Sequence, residues 1–179
     1  MIAVDEFGPL SVKPQPGTTW ARVKHPRRRR ATYSRPHGVT FLLGAYDVGA
    51  DKLMGRSFDR KRHQEFLLFL QWLRAKYPDG KKIYLIADNL STHLHAKVKR
   101  WARRNHVHFI FTPTNASWLN PIEAHFGGIS EFVIKGSDYE GRTQLRREIQ
   151  KYLRWRNANP SDKRIKRAQK KHQLYETGH

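Results

Sequence analysis

Apolar and polar positions divide this chain into a series of short strands and amphipathic helices. Ile2 to Phe7 predicts a first strand, ended by Gly8-Pro9. Pro14, Pro16 and Gly17 interrupt the next stretch, so a turn is expected to lead to a strand around Thr19 to Val23. Gly38 to Tyr46 is apolar and rich in β-formers and predicts a central strand. Asp47 to Gly55 reads as a turn into a further strand or directly into a helix. Phe66, Phe69, Leu70, Leu73 and Tyr77 recur at helical spacing and predict a helix over Arg62 to Tyr77, stopped by Pro78-Asp79-Gly80.

Ile83 to Ala87 has the length and flanks of a buried parallel strand. A helix is expected from Leu94 to Arg104, capped by Ser91 or Thr92, with Leu94, Val98, Trp101 and Ala102 inward. Val107 to Phe111 predicts another strand and Thr112 to Leu119 a loop. Ile122 to Val133 reads as a helix in which Gly127-Gly128 either allows close packing or loosens the turn. Arg142 to Trp155 is a clearer helix, and Asp162 to Gln173 a basic tail helix or frayed end.

Two carboxylates stand where this pattern changes. Asp88 ends the Ile83 to Ala87 strand, and the carboxyl ends of strands are where open α/β sheets bind ligands. Glu123 follows in Asn-Pro-Ile-Glu, with 34 residues between the two acids. Asp5 ends the run Ile2-Ala3-Val4; Asp47 and Asp51 rank below it, because a turn Asp usually bonds its own backbone. Three carboxylates converging from separate elements suit hard divalent cations. A pair of such ions stabilises both the attacking and the leaving oxygen at phosphorus.

Each acid also has a purely structural reading. Asn120 as N-cap, Pro121 at the first helical position and Glu123 at the third would make a capping box. Asp88 reads equally as a turn residue, and a one-residue slip would exchange Asp5 with Glu6. With all three acids in view, ligation is the better reading.

Lys plus Arg number 35 against 15 acids, a formal charge of +20 and a pI near 10.7. Such an excess resists compaction unless a polyanion neutralises it, so nucleic acid is the expected partner. The basic residues are spread along the chain rather than clustered beside one apolar run, which favours nucleic acid over a membrane surface. Arg27, Arg28, Arg29 and Arg30 read as a backbone clamp or a solvated loop, and Lys97 and Arg100 as a helical basic face. Trp118 reads equally as a core residue or as a platform for an unpaired base.

No apolar run approaches the roughly 18 residues needed to span a bilayer, and no signal peptide precedes Ile2. Cysteine is absent, which is compatible with a reducing cytoplasm; the expected localisation is cytoplasmic, nucleoid-associated and of bacterial type. The ten histidines do not fall at zinc-ligand spacing. His93 is expected near Asp88, helping to position water or phosphate, although a surface position is the commoner case.

In order, VDEFG, IADNLSTH and NASWLNPIE resemble the catalytic domain of DDE transposases of the Tc/mariner-type insertion-sequence superfamily, from Ile2 to about Trp155. The resemblance implies an α/β, ribonuclease H-like fold: a mixed, mostly five-stranded sheet with helices on both faces. It implies a catalytic domain over 1–158 followed by a basic tail or helix over 159–179. Asp5, Asp88 and Glu123 become the catalytic and metal-binding triad, holding two Mg2+ or Mn2+ ions, with Asn89, His93 and Asn120 behind them. The implied activity is DNA cleavage and strand transfer at element ends, by a homodimer assembled on DNA. The alternatives are another ribonuclease H-like nuclease and a non-catalytic nucleic-acid-binding remnant. Such transposases usually carry helix-turn-helix domains ahead of the catalytic domain. Here Met1 directly precedes the first strand, so a catalytic fragment, the second frame of a split element or a decayed copy is expected.

Overall fold

The first strand, β1 (Ile2–Ser11), is the middle of the sheet and carries the first acid. The computed structural model describes residues 1–17, 24, 38–114 and 116–177. Arg27 to Arg30, and the strand expected around Thr19 to Val23, lie outside these residues. Antiparallel strands β2 (Val39–Asp47) and β3 (Lys52–Phe58) extend one side of β1. On its other side, β4 (Ile83–Ala87) and β5 (Val107–Phe111) run parallel to it. The order is β3-β2-β1-β4-β5, the mixed five-stranded sheet expected from the resemblance.

Alternation assigns the two faces. Ile2 and Val4 join Leu43, Ala45, Leu85 and Ala87 beneath α1 (His63–Arg74) and α3 (Ala96–Arg104). Ala3, Leu42 and Leu53 lie on the opposite face, under α4 (Glu123–Ile129) and α5 (Arg142–Ala158). Helices therefore cover both faces, and each buried apolar side chain contributes about 1.5–3 kcal/mol relative to exposure.

Two glycines let the second layer approach. A Cβ at Gly44 would stand 2.8 Å from Ile122 Cδ1, and one at Gly128 would stand 2.1 Å from the Tyr152 hydroxyl. Close packing is thus the reading that holds for Gly128, and Gly44, which pairs with Asp5, lets α4 sit close beside that acid.

Several boundaries differ from expectation. β1 does not stop at Gly8-Pro9: the register shifts there, and Leu10 pairs again with Thr40. Proline is tolerated at such an irregularity, and burial of Leu10 and Val12 favours continuing the strand. The helix expected from Leu94 is two pieces, a single turn α2 (Ser91–Leu94) and then α3, broken at His95. Neither Ser91 nor Thr92 caps it: Leu90 starts α2 without a side-chain cap, and the His95 ring accepts from the Lys97 amide at 3.2 Å. The helix after Glu123 ends in a π-helical turn, Ser130–Ile134. The tail is a helix, α6 (Lys163–Thr177), which buries Ile165 and Ala168. Among the described residues no helix is long and apolar enough to cross a membrane.

Candidate active site

The parallel pairing of β1 with β4 sets Ile2 opposite Leu85 and Ala3 opposite Ile86. The same offset, carried two residues further, brings Asp5 level with Asp88. Adjacent strands are about 4.8 Å apart, so two carboxylates from different strands meet at one end of the sheet. Asp5 is buried, at 7% exposure. It lies on the same face as Ala3, towards α4, whose first residue is Glu123. Glu6 takes the other side and pairs with Lys61 at 3.0 Å. Of the two neighbouring acids, Asp5 is therefore the one directed at the Glu123 helix.

Electrostatics report how close the three acids are. Burial, and next the charge of Glu123, push the Asp5 carboxyl up to about 8, with the charge of Asp88 adding to the rise. The Glu6 amide, 2.7 Å from Asp5 Oδ1, opposes it. Asp5 thus holds a proton at neutral pH, and a hydrogen bond with Glu123 helps keep it there. Asp88 moves the other way. A hydrogen bond from His93 Nδ1, 2.8 Å from Oδ1, holds it below the usual carboxylate range against its partial burial, and the Leu90 amide also donates to it.

His93 is fully buried, which overturns the surface position as the commoner case. Its ring packs on Phe66 with centroids 4.2 Å apart. Nδ1 faces both the Asp88 carboxylate and the Asp88 backbone oxygen, at 3.3 Å, so Nδ1 carries the hydrogen. Nε2 has no hydrogen-bond partner among the described residues. The role of this histidine is to hold the Asp88 side chain in place.

Asn120 does not form the capping box with Glu123. Its Nδ2 donates to the Val4 carbonyl at 2.9 Å and to Asp5 Oδ2 at 3.1 Å. α4 begins at Glu123, and Ile122 precedes it without a side-chain cap. The other end of the Asn120 amide, Oδ1, accepts from the Ile122 N–H at 3.5 Å, so Asn120 serves the Asp5 carboxyl while its contact to the helix start is long. Asn89 donates to the Thr112 carbonyl at 2.7 Å and ties the loop after β5 to the end of β4.

The rival acids lie elsewhere. Asp47 accepts from Tyr77 and from the Gly49 and Ala50 amides, and Asp51 pairs with Arg156. Lys97 and Arg100 are exposed on α3. Trp118 is 51% exposed, which removes the core-packing reading. Lys61 was not singled out from the sequence: it follows Arg60 in a basic run, and its charge reaches both Glu6 and Asp88.

An all-oxygen donor set with a buried, protonated carboxyl between two other acids fits a hard divalent cation, which would take the proton's place. Among the described residues, no three His, Asp or Glu side chains already stand at the separation of a shared ion. The set is thus a group of converging acids, with Asp5 and Glu123 joined by a proton.

Comparison with known proteins bears on the family and the fold. The family model for DDE superfamily endonucleases matches residues 1–146. An insertion element IS630 uncharacterized 39 kDa protein of Shigella sonnei is 22% identical over 145 residues, covering 80% of this chain and 42% of that protein. Among solved structures, the Mos1 strand transfer complex superposes with a TM-score of 0.65 at 12% identity, covering 96% of this chain and 54% of the Mos1 chain. The Mos1 mariner paired end complex with Mn gives 0.61 at 12% identity, covering 98% and 55%. The chain therefore spans about half the length of these relatives. The structural likeness, at this identity, speaks for the ribonuclease H-like fold alone. The family model covers most of the chain, which belongs to the DDE superfamily endonucleases.

Proposed function

We propose that this domain cuts and joins DNA strands at insertion-element ends, using divalent metal held by Asp5, Asp88 and Glu123. The observation that carries the reading is the convergence of a buried Asp5 with Glu123 and Asp88: burial first, and then the charges of the two other acids, push the Asp5 carboxyl up to about 8. A cluster that holds a proton at neutral pH in the absence of cation is what a set of metal ligands would do.

The chemistry is phosphoryl transfer. A water oxygen attacks the phosphorus, the P–O bond to the leaving 3′ oxygen breaks, and that oxygen takes a proton. In the joining step, the freed 3′-hydroxyl gives up its proton and attacks the phosphorus of a target phosphodiester, that phosphodiester's P–O bond to its own 3′ oxygen breaks, and the released oxygen takes a proton. Bound divalent cations would supply charge neutralisation at the phosphate and activation of the attacking oxygen. His93 keeps Asp88 aimed, and Asn120 ties the loop before α4 to the Asp5 carboxyl and the Val4 carbonyl of β1. Burial of Asp5 beneath α4 keeps water from screening the site. The exposed Lys97 and Arg100 on α3 would hold DNA phosphates, and Trp118, exposed in the loop ahead of Glu123, would stack an unpaired base. On this reading, two copies assemble on DNA, each acting at one strand end.

The test is supercoiled plasmid at low salt with Mn2+ or Mg2+, wild type beside Asp88→Asn. The reading expects metal-dependent nicking that disappears in the variant, and strand joining when a free 3′-hydroxyl end is supplied. Nicks without joined products would make the protein a ribonuclease H-like nuclease. Salt-sensitive binding with no metal-dependent products would make it a binding remnant.

A further inference from the structure

A cavity of about 640 Å³ opens between the start of α4, the end of α5 and α6. Pro121 and Ala124 line it, one on each side of Glu123 along the chain, and Lys166 and Lys170 of α6 line the facing wall. Among the described residues its charged lining is three cations, Arg156, Lys166 and Lys170, against the single carboxylate Asp51.

Asp51 is already engaged. Its backbone and carboxylate oxygens accept the two terminal nitrogens of Arg156, and its carboxylate also accepts from the Tyr46 hydroxyl at 3.0 Å. Arg156 is 2% exposed, and its Nε–H is buried with no acceptor among the described residues. A buried guanidinium N–H without an acceptor is costly unless something supplies one. Lys166 and Lys170 are exposed, one helical turn apart on one side of α6, and no ion pair with a described residue occupies either. His125, tilted against the Tyr46 ring with centroids 3.9 Å apart and bonded to Gln169 at 2.7 Å, forms the floor. Burial, and next the Arg156 charge, bring His125 down to about 4, so the floor is neutral and the cationic character comes from the walls.

We infer that this cavity takes a backbone phosphate of the nucleic acid, which accepts hydrogen bonds from Arg156, Lys166 and Lys170 while the same strand continues to the acids. The inference rests on the reading of the chain as a DNA-acting protein and adds a second contact point for the strand.

The experiment follows the Arg156 Nε–H resonance of the 15N-labelled chain during titration with a short DNA duplex and, separately, with inorganic phosphate. Lys166→Ala/Lys170→Ala is compared with Lys81→Ala/Lys82→Ala, which removes the same charge from an exposed pair just before β4. The expected result is a saturable shift with duplex in the wild type and in the Lys81/Lys82 variant, and none in the Lys166/Lys170 variant. Only the latter should lower the slope of log affinity against log salt, by about 2. No shift with duplex, an equal shift in the Lys166/Lys170 variant, or a response to inorganic phosphate alone overturns the inference. A chain that never nicks plasmid yet shows the Arg156 shift loses the proposed reaction and keeps this site. A nicking chain without the shift keeps the reaction and loses the site.

Discussion

Asn120 Nδ2 lies 3.1 Å from Asp5 Oδ2, joining two residues 115 positions apart in the sequence. The same amide holds the Val4 carbonyl, so one side chain anchors the loop before α4 to the central strand. Asn120→Ala removes both donors from a site that is 1% exposed. Leaving buried acceptors unmet costs roughly 1–3 kcal/mol. Urea unfolding should show a loss of that size, together with slower metal-dependent nicking.

His93 gives a separate test of positioning. His93→Phe fills the space against Phe66 but removes the hydrogen bond to Asp88. Loss of a group that orients a ligand typically costs about 10–100-fold in metal affinity or activity. Nicking measured across Mn2+ concentrations should show the half-saturating concentration rising with little change in melting temperature. An unchanged metal dependence would remove His93 from the site.

Gly128 tests how closely α4 and α5 pack. Gly128→Ala sets a methyl group 2.1 Å from the Tyr152 hydroxyl and should destabilise the fold by roughly 1–3 kcal/mol. Adding Tyr152→Phe deletes the clashing oxygen and should recover part of that loss, read by urea unfolding of the two variants.

Stability should also depend on pH through Asp5. Its carboxyl is raised in the folded chain, first by burial and next by Glu123, to about 8, above the 3.8 of a free aspartate. The folded state therefore favours the protonated form. The associated stability is complete below the unfolded value and is lost as pH rises towards and through 8. The metal-free wild type should lose melting temperature between pH 5 and 9 relative to Asp5→Asn, and added Mn2+ should shrink that difference. Parallel profiles would place Asp5 outside a titrating cluster.

The fold was largely legible because its signals are local. Ile83 to Ala87, with Asp88 at its end, carries length, β-branching and a boundary in one short stretch, and the structure keeps all three. The Gly8-Pro9 signal misled because pairing of Leu10 with Thr40 outweighed a local stop. The capping reading of Asn120 failed for a related reason: the group it bonds is on another strand, and no local pattern announces a buried carboxyl far away in sequence. His93 was nameable from its motif, but its burial depends on Phe66 of another helix. The Arg156 pocket had no signature at all, since its lining comes from four separated segments.

The central claim is that Asp5, Asp88 and Glu123 together hold the catalytic cation. Titration of free Mn2+ by electron paramagnetic resonance tests it most directly, in wild type, Asp5→Asn, Asp88→Asn and Glu123→Gln. The account predicts saturable binding by the wild type, with each single variant weakening it by about tenfold or more. A wild type that leaves Mn2+ free, or variants that bind it as tightly as the wild type, would contradict the account.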